Sequence, residues 1–264
     1  MPVHVPGRHR PPEIRRVPAS RVFVWLRDGW RMFAGHPAEW ILMAFVAFTV
    51  LAISTLCVPI PVIGPMMPPL SLTILLGGMM HAAHLQHQRH VLSFSMLFEG
   101  VRRHPGNLAL IGLFYALPLV LMHFLTMLAL GGQLLVSLFG WWVGTTIHQL
   151  ASGLIHFLTG LGVLWILFLM GWGVLLLAML FAPALAMLDN YSPFDAMQYS
   201  LKASLYSLGA IVLLALCLYV LFVIAMIPIG LGVLIYIPVV IGTLYAAYLD
   251  VLAPPDALLK GPAV

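Results

Sequence analysis

Charge is what this sequence has least of. Asp, Glu, Lys and Arg make up 8% of its 264 residues, against roughly 25% in soluble domains. None of them occurs from Trp40 to Gln88, from His104 to Leu188 or from Ala203 to Leu249. Such stretches cannot face water throughout, and each can hold two bilayer crossings of about 20 residues. Cysteine is equally scarce. Cys57 and Cys217 are the only two; they lack motif spacing and a reason to pair, which excludes a disulfide framework and leaves two buried apolar residues. There is no glycine-rich phosphate loop of nucleotide-binding spacing. No Ser or Cys has a matching base and orienting group, so no nucleophilic enzyme is indicated. No cofactor is indicated either. The basic N-terminal arm is short and without interleaved aromatics, which argues against nucleic acid as a partner. It also has no apolar core beside a cleavage site, unlike a signal peptide.

What is present is apolar, 62% of the chain, and it repeats. Gly78-Met79-Met80-His81-Ala82-Ala83-His84-Leu85 returns as Gly242-Thr243-Leu244-Tyr245-Ala246-Ala247-Tyr248-Leu249. Each closes an apolar segment that follows a Pro/Gly turn and another apolar segment. The expected architecture is all-α and polytopic: six transmembrane helices as three hairpin repeats, each preceded by an interfacial amphipathic helix. Residues 1–19 form a basic arm rich in proline and arginine, expected to lack fixed structure. A single membrane domain covers 20–252, with repeats at about 20–90, 91–190 and 191–252, and 253–264 are a short tail.

The three surface helices are expected at about 20–34, 93–103 and 193–206, with Ser20 and Ser192 as caps. Ser192-Pro193-Phe194-Asp195 has the form of a capping box. In the first, Val22, Phe23, Leu26, Trp30 and Phe33 share one face and Arg21, Arg27, Asp28 and Arg31 the other. That pattern suits a helix lying in lipid headgroups, and it equally suits a basic flank that only fixes topology. The crossings are expected at about 38–57, 67–85, 107–130, 161–187, 208–227 and 233–250, with a kink at Pro118. Residues 131–160 are an insertion carried by the middle unit alone, long enough to supply a seventh crossing. With six crossings, every formal charge falls on one side, and the excess of Arg and Lys there places both termini in the cytoplasm.

Three sets of residues are candidates for function. His81, His84, His87 and His90 recur every third residue; neighbours such as His81 and His84 can share a metal ion, but the four fan over about half a helix. Their match to Tyr245 and Tyr248 favours a polar aromatic at the interface over a ligand. The insertion presents Thr145, His148, Gln149, Ser152, His156 and Thr159 on one face, an uncharged stripe. It suits either a wet outer surface or a ligand cavity lined by His123, His148, Ser152 and His156. Arg21, Arg27, Arg31, Arg102 and Arg103 are the candidates for lipid headgroup contact, anionic lipid being the natural partner.

Ala182-Pro183-Ala184-Leu185, Ser192 to Met197, Ser200 to Ser204, Leu244 to Asp250 and Leu97 to Arg103 together resemble an uncharacterised family of proteobacterial six-helix inner-membrane proteins. The chain is also similar to the membrane domain found beside some glycerophosphodiester phosphodiesterases. The resemblance spans about residues 20–252 and implies a bacterial inner membrane and a fold. It brings no activity and no catalytic residues. The expected role is that of a non-enzymatic membrane-organising or interaction protein, with a membrane-protein partner or a second copy of itself as further partners. The alternative is a transporter or channel for a small solute or metal ion, against which the charge-free crossings count.

Overall fold

A computed structural model describes residues 12–60, 63–143, 162 and 165–252, and the described residues form helices without a strand. Helix α1 (Arg21–Gly35) passes through His36 into α2 (Pro37–Leu56), which starts on its proline, where the missing N–H costs nothing. A 3₁₀ turn, Gly64–Met66, opens α3 (Met67–His87). A second 3₁₀ segment, Phe94–Phe98, runs into the short α4 (Glu99–Arg103), and α5 (Pro105–Val143) follows. The span Trp165–Leu188 is α6, bent at Leu180 and Phe181 before its last segment, Ala182–Leu188. Helices α7 (Pro193–Tyr206), α8 (Leu208–Met226) and α9 (Val233–Leu252) complete the described chain.

Six stretches are long and apolar enough to cross a bilayer: Pro37–Leu56, Gly64–His87, Pro105–Leu125, Trp165–Leu188, Leu208–Met226 and Val233–Leu252. They fall on the six expected crossings. One boundary moves. Helix α5 continues past Gly131 and Gly132 to Val143, so the expected insertion begins as part of the same helix. Two glycines cost only about 1 kcal/mol each in a helix, too little to end one that carries on into Leu134, Leu135 and Val136. Residues 144–161 lie outside the described residues, and with them the rest of the insertion and the question of a seventh crossing.

Helices α3 and α9 are the inner pair. Their apolar windows are 56% and 50% buried, against 17–28% for the other four. These are the two helices with the matched eight-residue stretches, and the small residues in those stretches explain the position. Lipid tails are as apolar as leucine, so helices in a bilayer associate through close backbone approach. Gly29 of α1 lies so near α9 that a Cβ on it would stand 2.6 Å from the Thr243 nitrogen and 2.7 Å from the Val239 oxygen. A Cβ on Gly242 would stand 2.8 Å from the Gly29 Cα. On α3 the same closeness recurs. A Cβ on Gly78 would stand 2.7 Å from the Leu97 carbonyl carbon, and one on Gly100 3.2 Å from the Gly78 nitrogen.

At α7 a serine occupies the crossing. Ser200 is fully buried; its hydroxyl donates to Leu177 O at 2.9 Å and accepts from Phe181 N at 3.0 Å. Ser204 donates to the same Leu177 carbonyl at 3.1 Å. Leu177 O and Phe181 N would otherwise bond each other along the helix. The inserted hydroxyl therefore accounts for the bend in α6, and Pro183, which has no N–H to give, sits just beyond it.

Two expectations at the amino-terminal side are corrected. The single apolar face of α1 divides: Val22, Trp25, Gly29 and Phe33 are buried against the bundle, whereas Phe23 and Trp30 are exposed. The arm is not free over all of 1–19. Arg15 N donates to Val251 O at 3.0 Å, Val17 N donates to Ser207 Oγ at 3.1 Å, and Ser207 Oγ donates to Arg15 O at 3.2 Å. Ile14 and Val17 pack against the core there, so apolar burial and three hydrogen bonds offset the cost of ordering the chain. Ser20 has helical backbone angles and makes no side-chain cap, whereas Ser192 accepts from Asp195 N as its motif requires.

Candidate functional site

The polar side chains of the bundle gather at the end where α3, α6 and α9 finish and α2, α5 and α8 begin. Asp250, near the end of α9, is the most heavily bonded. It receives two nitrogens of Arg21, at 2.9 Å from Nε and 2.6 Å from Nη2, and Trp25 Nε1 at 2.6 Å. Its side chain is 11% exposed, that of Arg21 43%. Gln86 occupies the same place after the matched stretch on α3 that Asp250 occupies on α9. Its Oε1 accepts from Trp40 Nε1 at 2.8 Å, and its Nε2 donates to Met32 O at 2.8 Å. Asp189, just past α6, accepts from Tyr248 at 2.5 Å. Two carboxylates and one amide thus tie α1, α2 and the end of α6 to the ends of the inner helices. The bonds to the two carboxylates are charge-assisted and the strong ones.

The histidine row joins this layer. His84 Nδ1 is 3.0 Å from the Tyr245 hydroxyl, and its Nε2 is 2.8 Å from Gln88 Nε2. His87 packs edge-on against the Tyr245 ring, with centroids 5.8 Å apart. His81 is 7% exposed, and its Nε2 is buried without a hydrogen-bond partner among the described residues. Both ring nitrogens of His84 are therefore engaged. Among the described residues, no group of three or more His, Cys, Asp and Glu is placed to hold a metal ion. The two matched stretches touch here, His84 of one meeting Tyr245 of the other as a hydrogen-bonded aromatic pair.

The arginines divide by role. Arg21 is committed to Asp250. Arg27 and Arg31 flank Asp28 at 3.6 and 3.9 Å, and both are more than half exposed. Arg102 and Arg103 share Glu99 at 3.6 and 2.6 Å and are likewise exposed. The hydrogen bond from Arg103 holds the Glu99 carboxyl below its ordinary range, aided by the charges of Arg103 and Arg102. Each of these two segments thus sets two cations on one anion and keeps one surplus positive charge at the surface.

The candidate cavity falls largely outside the described residues. His123 is half-buried on α5, and His148, Ser152 and His156 lie outside the described residues. Sequence reasoning missed Trp25, Trp40, Gln86 and Asp250 as a set. A signal was available: a polar residue follows both matched stretches, at Gln86 and at Asp250, although nearly everything before it is apolar. Comparison with protein-family models, with curated proteins and with solved structures finds no match to this chain.

Proposed function

We propose that this chain is a non-enzymatic inner-membrane protein that organises its surroundings by contacting anionic lipid, with both termini in the cytoplasm. It is built from three hairpin repeats, each entered by a surface helix. The observation that carries the functional reading is the composition of the exposed surface on the two basic segments. Arg27 and Arg31 stand beside exposed Phe23 and Trp30, and Arg102 and Arg103 beside exposed Phe98 and Val101. Aromatic and aliphatic side chains next to surplus arginine suit the boundary between acyl chains and phosphate. The repeat reading rests on spacing. Phe94, Gly100 and Arg102 correspond to Phe194, Ser200 and Lys202, and Gly29 and Gly100 meet matching glycines, Gly242 and Gly78. Each surface segment then rests on the second helix of the preceding unit, and the first rests on the last.

Two measurements test the proposal. Reporter fusions after Pro61, Ile147 and Gly230 are expected to read as periplasmic; a cytoplasmic signal at any one of them overturns the topology. In vesicles of mixed phosphatidylglycerol and phosphatidylcholine, the lipid shell around the protein is expected to be enriched in the anionic species. That enrichment should fall when Arg31, Arg102 and Arg103 are changed to Gln, each arginine contributing about 1 kcal/mol at most. An unchanged shell means that the arginines serve topology alone.

A further inference from the structure

An open groove of about 580 Å³ runs between α1, α8 and α9, within the roughly 300–1,000 Å³ common to small-molecule sites. Its body is apolar: Leu26 and Trp30 from α1, Leu216 and Val220 from α8, and Val239 from α9. Its one charged lining residue is Arg27. The groove follows from the way α1 crosses α9. Gly29 brings α1 onto α9, Val22, Trp25 and Phe33 bury on the same side, and the flank carrying Leu26, Trp30 and Arg27 faces the groove, with Leu26 half-buried and Arg27 and Trp30 exposed.

We infer that this groove seats one acyl chain of an anionic membrane phospholipid, whose phosphate lies against Arg27. The inference rests on the membrane reading above and deepens it, from a diffuse basic surface to one defined lipid. Three observations select the occupant. Leu216 and Val220 belong to one of the apolar spans and are themselves 58% and 49% exposed, so the groove opens sideways along α8, where hydrocarbon would surround it. Its lining offers a cation at one edge and no polar group within, which matches a charged head on an apolar tail and no soluble metabolite. Among the described residues Arg27 is paired only with its neighbour Asp28, at a loose 3.6 Å, and keeps donors for a phosphate. Chain burial in the groove gains little over burial in the bilayer, because tails and leucine are alike. Preference for the anionic head must therefore come from Arg27.

The test is native mass spectrometry of the full chain released from nanodiscs of equal phosphatidylglycerol and phosphatidylcholine. The expected result is one phospholipid that survives activation stripping the rest, mostly phosphatidylglycerol. Arg27→Gln should keep a lipid and lower the preference for phosphatidylglycerol about fivefold. Val220→Trp should fill the groove and remove the retained lipid. Maleimide labelling of Cys217, which also lines the groove, provides a readout that does not depend on a stability change: in a Cys57→Ser background, phosphatidylglycerol should slow it and phosphatidylcholine should slow it less. A retained lipid of unchanged preference in both Arg27→Gln and Val220→Trp, or labelling indifferent to lipid charge, overturns the assignment. The broader reading fails separately, when Arg31, Arg102 and Arg103 can be neutralised without changing the surrounding lipid shell.

Discussion

The two ends of the bundle hold their helices by different means. At the charged end, side chains from separate elements bond one another: Arg21 and Trp25 to Asp250, Trp40 to Gln86, Tyr248 to Asp189, His84 to Tyr245. At the opposite end the described contacts are mainly backbone and apolar. Ser54 and Ser71 hydroxyls meet at 2.8 Å between α2 and α3, and Phe222 packs on Tyr236 between α8 and α9. The turns there are tight because of glycine: a Cβ on Gly64 would stand 2.8 Å from Val58 O, and one on Gly232 2.7 Å from the Ala225 Cα. Polar groups that are dear to bury in hydrocarbon are thus collected in one layer, where water and headgroups can reach its rim. The other end is secured by how short its connections are. A polar layer can specify which helices meet; a tight turn can only return the chain to its neighbour.

The largest expected effect comes from the helix crossing beneath the polar layer. Gly242→Leu should cost about 3 kcal/mol or more, since the added side chain meets the Gly29 backbone and nothing there can rotate away. Gly171→Ala on α6 is the contrast. Among the described residues nothing lies within 4 Å of a Cβ at that position, so the change should stabilise by up to about 1 kcal/mol through helix propensity. Unfolding by graded denaturant in detergent measures both. Equal effects would mean that the crossing does not hold α1 in place.

Next in size is the layer itself. Asp250→Asn should cost about 2 kcal/mol, because it takes the anionic acceptor from Arg21 and Trp25 together. Arg21→Gln should cost less than about 1 kcal/mol, since Arg21 is nearly half exposed and water replaces its partner. If the two variants are equally destabilised, Trp25 adds nothing. The opposite end has its own handle. Ile229 is 97% exposed and holds φ 53, a conformation that a β-branched residue adopts only under strain. Ile229→Gly should stabilise by about 1 kcal/mol, less the extra entropy glycine gives the unfolded chain.

Much of this was legible in the sequence, for a physical reason. Charge exclusion and proline placement act locally, so the charge-free spans and the Pro37, Pro105 and Pro193 starts mark helices without knowledge of what packs on what. The matched stretches mark the inner pair for the same reason: small residues permit close approach wherever the partner is. Partnership itself is not local. The wheel of α1 groups Phe23 and Trp30 with Val22 and Phe33, all apolar; only the position of Gly29 on Gly242 decides which of them face protein and which do not. Asp250, near the end of its apolar helix, reads as a flanking charge, and its bonds to Arg21 and Trp25 span more than 220 residues. The extension of α5 through two glycines ran against the usual break signal, because apolar helix continuing on both sides outweighed it.

The smallest effect concerns acid. Glu99 lies on α4, outside the six spans, and its carboxyl titrates below the ordinary range, first because Arg103 donates to it at 2.6 Å and then because Arg103 and Arg102 are positive. A carboxyl whose folded value is depressed contributes stability above its unfolded value of about 4.3. It loses that contribution as pH falls through the lower folded value. The ion pair is partly exposed, so salt and water weaken it and the effect should be slight. The unfolding midpoint, followed from pH 6 to about 3, should therefore decline less in Glu99→Gln than in the unmodified chain. Raising the salt concentration should shrink the difference between them. His81 also lies within electrostatic reach of Glu99, so the comparison is best repeated in His81→Gln to separate histidine protonation from the carboxyl. If Glu99→Gln leaves the acid limb unchanged in both backgrounds, the Glu99 pair adds nothing to the charged end, and the firm contacts there reduce to those around Asp250, Gln86 and Asp189.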